Sequence, residues 1–385
     1  MASFLGMEIR GMWTGLWGQR ESAAWVAMTC LVLVSGFWMT GCDIAPLPDP
    51  PPPPDNVYGV NVFLEREVER WKQEKTLDMV EVAGIGWIKQ HFPWEDIEQG
   101  GKGDFHWQKY DEIVAMAEQR GLRVIARLDR PPGWTRRDNS YPQRPPDNFE
   151  DYGDFVHAFV KRYRGRIQHI QIWNEPNIWP EWGNQEVDPA EYAELLSVAY
   201  RRAKEADPEC QVLSAPLAVN TEDAAIRRNL SDLIYLEEMY QHGADEYFDI
   251  LSANAFGMNR PPEDPPDPSI LNFRRVELQR AIMESHGDSH KPIWFNEYGW
   301  NAAPSEFRTE ILVWSRVTEE EQARYTVGGM DWAREHWPWA GVFCIWYFRQ
   351  VGDVPETRAD YYFRMVDTDF TPRPLYEAVR AEASS

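Results

Sequence analysis

From residue 57 onward the hydrophobic pattern switches repeatedly between two periods. Short apolar runs rich in Val, Ile, Phe and Trp read as buried strands over residues 57–63, 87–91, 122–128, 167–173, 211–215, 248–253, 292–296 and 341–346. Between them, apolar residues recur three and four positions apart, as in Tyr192, Leu195, Leu196 and Ala199. This spacing predicts helices over 65–83, 109–119, 149–163, 189–206, 231–242, 273–285, 319–336 and 375–382. Asp188-Pro189 supplies an N-cap followed by proline at the first helical position. Eight strand–helix alternations predict an α/β fold, a (β/α)8 TIM barrel, as one catalytic domain over residues 56–385.

The connections sharpen this picture. Helix-to-strand links are short (84–86, 120–121, 164–166, 207–210). Strand-to-helix links are long and rich in Pro, Trp and Asn (129–148, 175–188, 254–272, 297–318, 347–374). In a barrel the long links share one end, the face where barrel active sites lie. The chain has elaborated one face and trimmed the other.

Two of those strand ends carry the same dipeptide. Strand four runs into Trp173-Asn174-Glu175-Pro176-Asn177, and strand seven into Trp294-Phe295-Asn296-Glu297-Tyr298-Gly299-Trp300. Strict alternation would aim Asn174 and Glu175 at opposite faces, so for both to face the cleft the strand must end or bulge there. The same holds for Asn296 and Glu297. Taken singly, each glutamate could be a surface acid at a loop start. Two Asn-Glu pairs at separate strand ends in aromatic surroundings suit sugar chemistry, in which one carboxyl protonates a glycosidic oxygen and the other attacks the anomeric carbon.

Composition adds constraints. Acids outnumber bases 62 to 39, for a net charge of −23, which argues against nucleic acid as a partner. The 19 Trp exceed what a core readily absorbs, so some are expected to line a cleft. Upstream of the barrel, Arg10 and Arg20 precede an apolar run over 23–38 that ends in Met39-Thr40-Gly41-Cys42. This predicts a secretory signal over 1–41, with Cys42 as the lipidated residue of a lipoprotein-type box; an uncleaved membrane anchor is the rival reading. Residues 42–55 form a Pro-rich linker, expected to be extended. Either reading places the barrel outside the cytoplasm, anchored to the outer face of a bacterial cell membrane or secreted. Cys210 and Cys344 fall in strands five and eight, which are not neighbours, so free buried thiols are expected.

On the strength of the two glutamate motifs, the chain resembles glycoside hydrolase clan A, the retaining (β/α)8-barrel glycosidases, and within it family 39 and the family 5-like enzymes. The similarity covers the barrel from about Val57 to the end. It implies Glu175 as acid/base, Glu297 as nucleophile, a β-linked carbohydrate substrate and no metal or organic cofactor. It gives Asn174 the position that holds the sugar 2-hydroxyl. It makes Trp346 the floor under the reactive sugar, often followed by a cis peptide, unless Trp346 is simply a core residue. One departure stands out: strand six offers Asn254 and Phe256 where many clan members have His or Tyr against the nucleophile. Asn254 is expected to donate to Glu297 instead.

Other strand ends supply further candidates. Asn61 ends strand one and is a candidate sugar contact. Lys89 and His91 end strand two and either line the pocket or serve structure. Arg127 ends strand three and either orients a substrate group or pairs with Asp129. Trp134, Trp179, Trp182 and Trp300 lie in mouth loops and are candidates to stack on sugar rings. Against hydrolysis stands a non-catalytic cell-surface glycan-binding barrel, which the retention of both glutamates disfavours. A metal-dependent barrel hydrolase would need clustered histidines at strand ends, and the eight histidines are scattered. A monomer is expected.

Overall fold

The computed structural model describes residues 48–383, except 224, 226, 353 and 354. The signal-type segment and the lipidation candidate Cys42 lie outside the described residues.

Eight parallel strands form the barrel: β1 Tyr58–Val62, β2 Trp87–Pro93, β3 Arg123–Asp129, β4 His169–Ile172, β5 Gln211–Leu213, β6 Leu251–Phe256, β7 Ile293–Gly299 and β8 Ala340–Ile345. Their order is β5-β4-β3-β2-β1-β8-β7-β6, and an isolated bridge between Leu213 and Ile250 spans the remaining seam. The main helices alternate with the strands as α1 Arg70–Val82, α2 Gln108–Glu118, α3 Phe149–Tyr163, α4 Pro189–Ala206, α5 Asp232–Gln241, α6 Val276–Ser285, α7 Glu319–His336 and α8 Pro374–Ala383. This is the (β/α)8 barrel that the periodicity predicts.

Local chemistry sets several boundaries. Asp188 caps α4 by accepting from the Ala190 and Glu191 N–H groups, with Pro189 in the first turn. Thr318 and Glu321 form a reciprocal capping box at the start of α7. The helix expected over 65–83 is divided. A 3-10 turn at Leu64–Arg66 precedes α1, and the Gln73 amide donates to the Leu64 and Glu67 carbonyls at the break. β6 lies further along the chain than its apolar run suggests, and it is buried throughout, including the polar Asn254 within it.

Within the strands, inward-facing positions change character toward the carboxyl end. The lower layer is apolar: Trp87, Ile125, Leu213, Ile250, Trp294, Val342 and Cys344 pack on one another. His169 joins it, stacked on Trp294 at 4.8 Å and edge-on to Trp87 at 5.0 Å. Gly341 makes room for this layer, since a Cβ there would come within 2.1 Å of the Trp294 ring. Two residues further along, Trp87 gives way to Lys89 and Trp294 to Asn296; with Asn61 and Gln171 these build a buried polar layer. The larger core lies between the strands and the helices. Cys210 and Cys344 are buried free thiols, and burial pushes both up to about 12.

Candidate active site

β4 ends at Ile172 because the backbone turns left-handed, with φ of 69° at Trp173 and 41° at Glu175. The Glu175 N–H donates to the Pro216 carbonyl at 3.0 Å, which fixes this turn against the loop after β5. Asn177 staples the same loops. Its amide donates to the Ala218 and Leu230 carbonyls, and its oxygen accepts from the Ala218 N–H. β7 solves the same geometric problem with a bulge. Ala253 pairs with Phe295, but Asn254 pairs with Glu297, so Asn296 is the extra residue. Its amide donates to Gln171 Oε1 at 2.6 Å, a bond from β7 to β4 across the barrel interior.

The two glutamates face different electrostatic surroundings. The Lys89 ammonium lies 3.3 Å from Glu297 Oε1 and 3.2 Å from the Asn296 carbonyl. A cation at that distance stabilises negative charge on Glu297. Burial pulls Lys89 below the ordinary lysine range, and Glu297 opposes the shift. Among the described residues, no ion pair to Glu175 forms. Burial, then the charges of Glu297 and Glu181, push its carboxyl up to about 8. One carboxyl therefore favours its protonated form more than an ordinary glutamate does, while the other is backed by a lysine. Such a pair can deliver a proton to a leaving oxygen and attack an electrophilic carbon.

The other sequence candidates divide into three groups. Asn174 is buried beside the pair, with its Oδ1 3.5 Å from Gln171 Nε2. Trp346 directly follows β8, partly exposed and edge-on to Phe63 at 5.6 Å, and the Trp346-Tyr347 peptide is cis. Arg127 and His91 belong to a charged wall. Arg127 Nε donates to Asp129 at 2.6 Å, with Glu181 3.8 Å from its other end. His91 is bonded to the second oxygen of Asp129, with Glu65 3.8 Å away. Burial alone would lower His91, but Asp129 and Glu65 overcome it and raise its pKa. Burial likewise opposes ionisation of Asp129, yet Arg127 and His91 hold its carboxyl well below the usual range.

Several expectations are corrected. Asn254 does not donate to Glu297: Nδ2 donates to Glu175 Oε1 at 2.6 Å, although its backbone pairs with Glu297. Asn61 donates its amide to the Asn296, Cys344 and Ile345 carbonyls, tying β1 to β7 and β8. Trp300 is 1% exposed, donates to the Arg260 carbonyl and lies flat on Gly257, where a Cβ would come within 1.8 Å of its ring. It packs in the core and presents no face to a sugar. Trp182 is likewise fully buried, with its indole N–H on Glu191. Trp179 is half-buried, and the Arg228 guanidinium covers its ring at 4.4 Å. Trp134 leans on Trp94 and donates to the Glu98 carbonyl.

Sequence reasoning missed Gln171, Asn177 and Glu181, whereas the Arg127–Asp129 pair, one of its two readings of Arg127, does form. It also missed an aromatic cluster in which Phe256, Met258, Tyr347 and Phe363 pack with the partly buried Phe63, Trp314 and Trp346. Gln171 carried a signal: a polar residue inside an otherwise apolar strand run. The aromatics converge from widely separated segments and carried none. Among the described residues, no group of three or more His, Cys, Asp or Glu could hold a metal ion.

No protein-family model matches the chain, and no curated protein matches it. Solved structures share the barrel. One is a family 39 glycoside hydrolase from the gut symbiont Bacteroides cellulosilyticus WH2, with TM-score 0.64 and 22% identity; the match covers 85% of this chain and 63% of that one. A monomeric beta-xylosidase from Caulobacter crescentus CB15 gives TM-score 0.62 at 16% identity, over 87% of this chain and 69% of that one. A GH2 beta-galacturonidase from Eisenbergiella tayi gives 0.54 at 18% identity, over 86% of this chain and 51% of that one. The structural neighbours thus include family 39 glycoside hydrolases of clan A, and at these identities the likeness establishes the fold.

Proposed function

We propose that the chain hydrolyses O-glycosidic bonds of oligo- or polysaccharide, as a retaining glycosidase acting on β-linked sugars. The observation that carries this reading is the unequal pair: a carboxyl after β4 that burial and the charge of Glu297 hold above the ordinary glutamate range, and a carboxyl on β7 with the Lys89 ammonium 3.3 Å away. In the first step Glu297 attacks the anomeric carbon, and Glu175 gives its proton to the departing glycosidic oxygen, which keeps the bonding electrons. In the second, ionised Glu175 takes a proton from water as the water oxygen attacks the same carbon and releases Glu297. The Lys89 ammonium stands 3.3 Å from Glu297 Oε1 as Glu297 acts. Burial and the charge of Glu297 raise Glu175 toward the range a general acid needs. The retaining course and the β-linkage rest on the resemblance to clan A, in which the strand-seven glutamate is the nucleophile.

The test is intact mass spectrometry after incubation with a panel of activated 2-deoxy-2-fluoro glycosides. One sugar-sized adduct on Glu297 is the expected result, and it also names the glycone. No adduct, together with no hydrolysis of a polysaccharide panel, would favour the glycan-binding barrel. The amino-terminal pattern extends the proposal to a lipid-anchored, extracytoplasmic monomer. Metabolic labelling with an alkyne fatty acid, lost in Cys42→Ala, tests the anchor, and light scattering tests the monomer.

A further inference from the structure

Asn254 occupies the one strand end that departs from the clan pattern, and its contacts give that departure a role. It lies where β7 bulges, is 2% exposed and sends Nδ2 to Glu175 Oε1 at 2.6 Å. Its own Oδ1 is buried with no donor among the described residues. The Glu175 backbone is held in the left-handed region on a loop rather than in a strand, so the strand does not aim its side chain. The other charged groups that act on Glu175 are Glu297, Glu181 and Arg127. Among the described residues, Asn254 alone hydrogen-bonds a Glu175 carboxyl oxygen.

A neutral carboxyl carries its proton on one oxygen, and an N–H aimed at an oxygen makes that oxygen an acceptor. We infer that Asn254 is the positioning residue of the acid/base: by donating to Oε1 it places the proton of Glu175 on Oε2 and aims it at the leaving oxygen. The inference rests on the glycosidase reading. In the first step the Oε2–H bond breaks, the proton goes to the glycosidic oxygen, and its electrons remain on Glu175. The bond from Asn254 then meets a charged carboxylate and strengthens. In the second step Oε2 takes the proton from water, and the starting state is restored. Asn254 thus holds one oxygen of Glu175 through both steps while the other moves the proton.

The experiment compares kcat/KM of the full chain with Asn254→Ala and Asn254→Asp across aryl glycosides, from 2,4-dinitrophenyl (which leaves without a proton) to phenyl (which needs one). Asn254→Asp is nearly isosteric and serves if the alanine variant folds poorly, and thermal melts check both. For phenyl glycosides the expected loss is on the order of 10²-fold, against a few-fold at most for 2,4-dinitrophenyl glycosides. The basic limb of the pH profile should move upward, because the lost donor favoured the ionised carboxylate. An equal loss for every leaving group with an unmoved limb would overturn the inference and leave Asn254 a structural residue. If the unaltered protein hydrolyses no glycoside and forms no fluorosugar adduct, the glycosidase reading itself falls, and this inference with it.

Discussion

The lower and upper layers of the barrel interior come from the same strands, yet different physics governs them. Below, Trp87, Ile125 and Trp294 fill space around His169. Above, Lys89, Gln171, Asn296 and Glu297 are joined by bonds that cross from strand to strand. The lower layer depends on volume, because an emptied position leaves a cavity. The upper layer depends on partners, because each buried polar group that loses one is left unsatisfied. The layers are also coupled. Cys344 of the lower layer lies close enough to Lys89 and Glu297 for both charges to act on its thiol.

The sharpest break in this comparison is Glu297→Gln. It should lower kcat/KM by on the order of 10⁴-fold or more while the protein stays folded, as read by steady-state kinetics and circular dichroism. Glu175→Gln should cost about 10² to 10⁴-fold with phenyl glycosides. It should also stabilise the fold. Between pH 4.5 and about 8 the unfolded chain releases this proton and the folded chain keeps it, so stability falls as pH rises through that window. The glutamine variant, having no proton to lose, should show a flatter decline and a higher melting temperature at pH 7 by calorimetry.

Trp294→Ala attacks the lower layer alone. It should destabilise by about 3–5 kcal/mol in urea titrations, with kcat of the folded fraction changed only a few-fold. Asp129→Asn should cost a similar ~3–5 kcal/mol for the opposite reason, since it strands the Arg127 and His91 charges without their carboxylate.

The smallest effects belong to one histidine in each region, and they have opposite signs. In the lower layer, burial and then Arg123 pull His169 down to about 4. The unfolded chain therefore binds a proton first, and this residue makes stability fall as pH drops from about 6.5 toward 4. In the charged wall, His91 is raised, so its contribution is complete below about 6.5 and is lost as pH rises through the folded value. Replacing His169 by Gln should flatten the acid limb of stability, and replacing His91 should flatten the alkaline limb. Histidine proton NMR should show the two rings titrating on either side of the free value. Both rings titrating together would erase the distinction between the regions.

Much of this was legible along the chain. Eight apolar runs, the long links at one end and the two Asn-Glu dipeptides sufficed for the barrel, its working face and the need for an irregular backbone at both glutamates. Trp300 and Trp182 were misread because a tryptophan in a loop looks exposed until its cavity is known. Gly257 is what admits Trp300, and it lies 43 positions earlier in the chain. Asn254 was misread because backbone register does not decide where an amide points. Its backbone pairs with one glutamate and its side chain with the other.

By itself the sequence determined the elements, their order and the carboxylates at the ends of strands four and seven, since periodicity and strand ends are local properties. Only the tertiary structure decided how those carboxylates differ. That difference comes from Lys89 standing beside Glu297, and from burial, Asn254 and Glu181 acting on Glu175. These neighbours come from separate strands and loops, and charge and dielectric act through space rather than along the chain.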